Sequence, residues 1–132
     1  GYRSSSVGVS EVVLGAELSL STGSAVESDR LLTEIVRWRR ENQPGGQNAG
    51  SVFVNPPGDS AGRLIDLAGA RGLRIGTAHV SEKHANFIQA DIGGSAEDVC
   101  RVMNEVRERV RAAFGVDLVA ETVLVGFTDV ID

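Results

Sequence analysis

The chain has 132 residues, enough for one domain, and its hydrophobic content of 42% is close to the globular average. Its formal net charge of −5 argues against a nucleic-acid partner, which would show as a basic surplus, but an anionic ligand could still bind a local basic pocket. The single Cys100 excludes an internal disulfide, and no apolar run approaches the roughly 20 residues that span a bilayer. We therefore expect an aliphatic core, a reducing compartment and no membrane partner.

The first third of the chain predicts one strand, one helix and one loop. Partly alternating apolar residues predict a strand over 11–20 with one buried face. Apolar residues at helical spacing predict a helix over 27–40, whose last turn carries arginines that complement the negative end of the helix dipole. Residues 41–50 are polar and rich in Pro and Gly, which is typical of a loop.

The middle of the chain predicts short elements. Ser60 is a candidate N-cap for a short helix that Gly69 or Gly72 ends. Residues 73–75 and 85–90 are predicted to be short strands.

The last third of the chain predicts a long helix and a closing strand. Ser95-Ala96-Glu97-Asp98 is typical of a capping box, and the helix should continue to about Phe114, where Gly115 ends it. Residues 118–127 are predicted to be the closing strand. Together these elements predict an α+β fold, with helices packed on one face of a mainly antiparallel sheet.

Two polar residues in the first half have candidate chemistry, each with a structural alternative. Ser51 follows Gly50, and its hydroxyl could donate a proton or bind a ligand, or it could cap a turn. Asn55 precedes Pro56, as turn residues commonly do. Glycine-rich phosphate loops, paired cysteines and nucleophile elbows are missing, so spacing alone does not identify an enzyme, and no metal site is expected.

Three charged or titratable residues also have two interpretations each. Glu121 lies within an apolar run, so its carboxylate either faces solvent or faces inward and needs a cationic partner or a ligand. Arg3 lies close to the start of the chain, where flexible charges are common. His84 follows Lys83, and the pair could bind an anion or form a solvated turn.

Several motifs in one order resemble the carboxy-terminal domain of the UDP-N-acetylenolpyruvoylglucosamine reductases, also called UDP-N-acetylmuramate dehydrogenases. The resemblance extends from Tyr2 to about Phe127 and is similar to the more compact of the family's two subtypes. The motifs are Tyr2-Arg3-Ser4-Ser5, Arg39 through Pro44, Gly50 through Pro56, Ala61 through Ile65, Gly72 through Gly76, Val80 through Phe87, Phe114-Gly115-Val116 and Glu121 through Gly126.

The resemblance implies that residues 1–132 are a single carboxy-terminal, substrate-binding domain, and that the amino-terminal FAD-binding domain is absent from this chain. It implies a cytoplasmic oxidoreductase of peptidoglycan synthesis that acts on UDP-N-acetylglucosamine enolpyruvate, with FAD as cofactor and NADPH as the source of hydride. Because flavin would be held mainly by the missing domain, we expect the chain alone to have little or no activity.

The resemblance also assigns roles by position. Ser51 resembles the family's proton donor, and Arg3 and Glu121 resemble the pair that stabilises an enol-like intermediate at the substrate carboxylate. Asn55 and His84 fall where the family contacts the diphosphate and sugar region, and Tyr2 is also predicted to bind substrate. The carboxylate of Glu121 is expected to point into the cleft, near Ser51.

Four residues depart from the family's pattern: Val54, Asn42, Thr77 and Ala90. None of them replaces a residue with a predicted catalytic role. Two other functions stay open: a non-catalytic module that binds a nucleotide sugar, and a flavoenzyme of another substrate class that shares this domain.

Overall fold

A computed structural model describes residues 5–8 and 10–127. The chain divides into two compact units, Gly1–Thr33 and Glu34–Asp132, and each is described by itself. The assignment of residues 1–132 to one carboxy-terminal domain stays a prediction.

Residues 11–20 do not form a strand, which corrects the expectation from their alternating pattern. Their apolar side chains are exposed, Leu14 at 95%. A strand is stabilised by hydrogen bonds to a neighbouring strand, and no described segment pairs with this one. The alternating pattern therefore indicated residues that could pair with a strand, but no described strand lies beside them.

The predicted first helix is confirmed as α1, Ala25–Asn42. The Ser24 hydroxyl accepts a hydrogen bond from the Glu27 N–H at 3.3 Å, and Glu27 forms an ion pair with Arg30 one turn later. None of the residues of α1 is buried, and Trp38 is 58% exposed rather than part of the core.

Unit Glu34–Asp132 is built on a four-stranded antiparallel sheet with strand order β1-β4-β3-β2. The strands are β1, Asn48–Ser51; β2, Arg74–Ile75; β3, Ala78–Val80; and β4, Phe87–Ala90. The predicted short strands correspond to β2 and β4. Prediction missed β3, which follows β2 after a two-residue turn, and β1, whose polar and glycine residues are typical of a loop.

Two helices complete this unit. Helix α2, Ala61–Leu67, begins after Ser60, whose hydroxyl accepts from the Arg63 N–H at 3.3 Å as predicted for an N-cap. Helix α3, Ala96–Phe114, packs against β2, β3, β4 and α2. The α+β fold with helices against an antiparallel sheet is therefore confirmed.

The start of α3 is fixed differently from the predicted capping box. The Ser95 hydroxyl accepts from the Glu97 N–H at 3.1 Å, as an N-cap does. Asp98 does not reach back to Ser95. It accepts from the N–H and the hydroxyl of Thr77, both at 2.8 Å, and thereby joins α3 to the turn between β2 and β3.

The predicted closing strand over 118–127 is not formed, which is a second correction. The segment makes one isolated antiparallel bridge, between Phe53 and Ala120. Leu118 is buried, but Val123 is 83% exposed. Pairing is therefore confined to the few residues around Ala120, which lie beside the segment around Phe53.

The hydrophobic core lies within unit Glu34–Asp132. Its fully buried members come from β3, β4, α2, α3 and the segments around Phe53 and Leu118. Of the helices that the structure describes, none is both long and apolar enough to cross a membrane.

Candidate active site

The position of Ser51 is set by an irregularity at the end of β1. Gly50 has φ +70°, a conformation that residues with a Cβ rarely adopt, and its N–H donates to the Asn48 side chain at 3.0 Å. Asn48 pairs with Gln89 and Ser51 with Phe87, so β1 carries one extra residue between the two pairs. Such a bulge redirects a side chain and is common beside active sites. The half-buried Ser51 is therefore held by local backbone geometry.

The two residues after Ser51 are held by Asn86. The N–H of Val52 donates to the Asn86 carbonyl oxygen at 2.9 Å. The Asn86 side chain accepts from the Phe53 N–H at 3.0 Å and donates to the Phe53 carbonyl oxygen at 2.8 Å. This side-chain amide continues the hydrogen bonding of the sheet beyond the end of β1.

Glu121 lies beside the same backbone on its other side. Its N–H donates to the Val52 carbonyl oxygen at 2.8 Å, next to the bridge between Phe53 and Ala120. The structure thus brings the backbones of Ser51 and Glu121 together, although they lie 70 positions apart in the sequence. The side chain of Glu121 is exposed. Its direction toward a cleft stays a prediction.

His84 is half-buried, and its tautomer follows from its contacts. Its Nδ1 accepts from the Asn86 N–H at 3.2 Å, so in the neutral ring the proton is on Nε2. The ring packs edge-on against Phe87, with centroids 4.8 Å apart. Burial, followed by the charge of Arg71, lowers the pKa of His84. At neutral pH the ring therefore offers an N–H donor to a ligand rather than a positive charge.

Asn55 stabilises the turn before α2, as its position before Pro56 suggests. Its side-chain oxygen accepts from the Ala61 N–H, the first of α2, at 3.0 Å. Since that oxygen has a structural partner, the amide nitrogen is the part of this exposed side chain that could contact a ligand. The predicted binding role of Asn55 is untested. The other two predicted site residues, Arg3 and Tyr2, lie outside the described residues.

Three basic residues of the unit Glu34–Asp132 differ in how far their charge is compensated. The Arg63 Nε donates to Asp59 at 2.7 Å, and Arg71 forms an ion pair with Asp66. Lys83 donates to the backbone oxygen of Arg40, and that contact does not neutralise its charge. Of these cations, Lys83 is therefore the one that keeps an uncompensated charge for an anionic ligand.

Two residues of this region were missed by sequence reasoning. Asn86 has a usable signal, because a buried asparagine in the apolar run 85–88 must have hydrogen-bond partners. Thr122, next to Glu121, has a buried hydroxyl without a hydrogen-bond partner among the described residues. No local motif indicates that position.

The fold and these contacts define a small α+β domain whose polar groups gather around the end of β1. The family model described as "UDP-N-acetylenolpyruvoylglucosamine reductase, C-terminal domain" matches residues 42–125. The chain belongs to this family, and the resemblance drawn from its motifs is confirmed.

The chain is similar to curated reductases along nearly all of its length. It is 43% identical over 127 residues to the UDP-N-acetylenolpyruvoylglucosamine reductase of Syntrophotalea carbinolica, a match that covers 96% of this chain and 42% of that protein. It is 42% identical over 127 residues to the reductase of the same name from Alkalilimnicola ehrlichii, covering 96% and 43%. The chain therefore spans about two fifths of the length of these relatives.

A solved structure supports the fold. The crystal structure of UDP-N-acetylenolpyruvylglucosamine reductase from Thermus caldophilus superposes with a TM-score of 0.66 at 39% identity. The match covers 80% of this chain and 37% of that one.

Proposed function

We propose that this chain is the substrate-binding, carboxy-terminal part of a longer cytoplasmic reductase that converts UDP-N-acetylglucosamine enolpyruvate to UDP-N-acetylmuramate in peptidoglycan synthesis. The reductase depends on FAD and uses NADPH, and its flavin-binding domain corresponds to the part of the relatives that this chain does not cover. The observation that carries the proposal is the backbone pairing at Val52, which brings Ser51 and Glu121 together within a matched family domain.

The described residues fit a flavin that is held by another domain. Ser51 is half-buried and Glu121 is exposed, so both can be reached from outside this unit. The flavin, when bound, supplies the hydride that adds to the enolpyruvyl double bond. This chain binds the nucleotide sugar, stabilises negative charge and delivers a proton.

The predicted site residues then have separate roles in catalysis and substrate binding. Negative charge grows on the carbon beside the substrate carboxylate after hydride addition, and Arg3 with Glu121 stabilises the resulting enol-like species. The Ser51 hydroxyl transfers its proton to that carbon, which completes the saturated product. A serine hydroxyl is a weak acid, so it serves only within hydrogen-bond reach of a strongly basic carbanion. The Nε2–H of His84 and the amide of Asn55 contact the diphosphate and sugar region.

Ser51→Ala in the full-length protein that carries this chain tests the assignment. We expect reduction of the flavin by NADPH to stay intact and turnover to fall about a hundred- to ten-thousand-fold, which is the usual contribution of a general acid. Ser95→Ala is the matched control, because it removes a serine hydroxyl that caps α3 and should leave turnover unchanged.

Three results would contradict the proposal. Turnover of Ser51→Ala within about threefold of wild type is too small a loss for an essential acid. A full-length protein that purifies colourless would indicate a non-catalytic module that binds a nucleotide sugar. NADPH oxidation that responds to another substrate and not to UDP-N-acetylglucosamine enolpyruvate would indicate a different flavoenzyme.

A further inference from the structure

We infer that Asn86 is a positioning residue that holds Ser51, Glu121 and His84 in one arrangement without contacting the reacting atoms itself. This inference rests on the proposed function, in which Ser51 is the proton donor. Asn86 is 5% exposed and lies in the turn between β3 and β4. The turn itself carries no predicted catalytic residue.

The first step of the argument is the number of hydrogen bonds that Asn86 makes to the backbone that follows Ser51. Its carbonyl oxygen accepts from Val52, and its side chain both accepts from and donates to Phe53, all between 2.8 and 3.0 Å. Three bonds to two consecutive residues fix the path of the chain directly after the Ser51 hydroxyl. A shift of Phe53 would therefore be transmitted to Ser51.

The second step is that the same residue is linked to the two other predicted site residues. The Asn86 N–H donates to the His84 Nδ1 at 3.2 Å, which selects the tautomer with its proton on Nε2. The carbonyl oxygen of Val52, whose N–H is bound by Asn86, accepts the N–H of Glu121. The bonds of Asn86 thus connect the backbone after Ser51, the ring of His84 and the segment that carries Glu121.

The third step is why the side chain must be an amide. Phe53 is 2% exposed, so water cannot replace a lost partner for its N–H and carbonyl groups. One side chain has to present an acceptor and a donor side by side. Aspartate keeps the acceptor and loses the donor, and leucine, of similar size, loses both. Asn86→Asp therefore removes one of the two side-chain hydrogen bonds to Phe53, and Asn86→Leu removes both.

The activity test uses the full-length flavin-loaded protein with Asn86→Asp and Asn86→Leu. We expect NADPH to reduce the flavin at the wild-type rate and kcat for the whole reaction to fall by about ten- to a hundred-fold, as a displacement near 1 Å produces. The loss should be larger for Asn86→Leu. Ser81→Ala is the control, since Ser81 is a buried polar residue whose hydroxyl accepts from the Lys83 N–H at 3.2 Å. It should leave kcat unchanged.

A double variant separates positioning from general destabilisation. If Asn86 acts through Ser51, adding Asn86→Asp to Ser51→Ala should lower turnover by less than about threefold more. A further loss as large as that of Asn86→Asp alone would overturn the inference. A fall in flavin reduction that matches the fall in turnover would overturn it too, because positioning of the proton donor does not affect that half-reaction.

Amide hydrogen exchange on the 132-residue chain gives a readout that does not depend on activity. In Asn86→Asp, the Phe53 carbonyl oxygen loses its donor and faces a second oxygen, so this segment should open more often, and the amides of Phe53 and Glu121 should exchange at least about tenfold faster. The amide of Val80, which donates to the Leu73 oxygen at 2.8 Å, is the internal control and should not change. Unchanged exchange at Phe53 and Glu121 would overturn the inference even if Asn86→Leu fails to fold.

The two proposals fail in different ways. A Ser51→Ala protein with normal turnover rejects the proposed function, whatever Asn86 does to exchange. A Ser51→Ala protein that is inactive beside a fully active Asn86→Asp protein rejects the role of Asn86 and leaves the proposed function standing.

Discussion

Asp98 and Thr77 form the polar contact that fixes α3 against the sheet. The Thr77 N–H, followed by the Thr77 hydroxyl, lowers the pKa of Asp98, and the charge of Arg101 contributes a smaller effect in the same direction. The Thr77 hydroxyl also accepts from the Ser95 N–H at 2.8 Å. Thr77 therefore supports the start of α3 through both contacts.

We predict that Thr77→Val destabilises the chain more at neutral pH than in acid. An aspartate with a lowered folded pKa stabilises the fold above its ordinary value of 3.8, and this stabilisation is lost as pH falls through the folded pKa. Valine removes the hydroxyl, one of the two groups that donate to Asp98. The difference in free energy of unfolding between Thr77→Val and wild type should therefore shrink once Asp98 is protonated. Urea unfolding at neutral pH and at a pH below the folded pKa of Asp98 measures this difference.

The control for this prediction is Thr77→Ser, which keeps the hydroxyl and should lose less at neutral pH. If Thr77→Val loses the same free energy of unfolding at both pH values, the loss does not act through Asp98 but through contacts that do not titrate, such as the hydrogen bond from the Ser95 N–H.

Side-chain contacts between distant residues account for what sequence reasoning missed at this scale. Ser51 and His84 are predictable as candidates because their neighbours in the sequence form motifs. Asn86 acts on Phe53 across 33 residues, and Asp98 acts on Thr77 across 21. Neither partnership has a periodic or local signal, so the predicted capping box was wrong at Asp98 although the start of the helix was right.

Helices were predicted better than strands because their ends are set by local chemistry. Ser60 and Ser95 cap the helices that follow them, and the caps lie within three residues of their hydrogen-bond donors. Strands depend on a partner elsewhere in the chain. Residues 11–20 have the right residue types and no described partner, whereas the polar β1 is a strand because β4 pairs with it.

The end of α3 gives a prediction for a single glycine. Gly115 has φ +68° and ψ 19°, its N–H donates to the Arg111 oxygen, and an added Cβ would meet no atom within 4 Å. Gly115→Ala should therefore cost only the backbone strain of a left-handed residue, about 1–2 kcal/mol in the free energy of unfolding. Urea denaturation of the chain measures this loss.

Gly45→Ala is the matched control for Gly115→Ala. Gly45 also has open space around an added Cβ, and its φ is not positive, so the substitution should be neutral or stabilising by up to about 1 kcal/mol. Equal losses at the two positions would show that the left-handed conformation is not the cause. Gly115→Asn should lose less than Gly115→Ala, because asparagine tolerates this conformation better.

At the scale of the whole chain, the stabilising contacts are concentrated in one of the two units. The buried cluster extends from Val52 to Leu118, and the partly buried residues packed against it extend from Ala49 to Leu124. The described residues of the unit Gly1–Thr33 contribute none of them. Composition predicted a chain able to form an aliphatic core, but it could not indicate that the described part of residues 1–33 would lie outside that core.

A chain that begins at Glu34 should therefore fold as stably as the 132-residue chain. It keeps every member of the core, the four strands, α2, α3 and the contact of Lys83 with Arg40. The residues removed include exposed apolar side chains such as Leu14 and Leu20, so their removal takes little buried apolar surface from the fold. We expect a cooperative urea transition whose free energy of unfolding lies within about 0.5 kcal/mol of the longer chain, the usual range for changes at exposed sites. A chain that ends at Asp117 should by contrast lose the transition, since it lacks the buried Leu118 side chain and the pairing of Val52 with Glu121. A non-cooperative transition in the chain that begins at Glu34 would mean that residues 1–33 stabilise the fold through contacts that the burial pattern does not reveal.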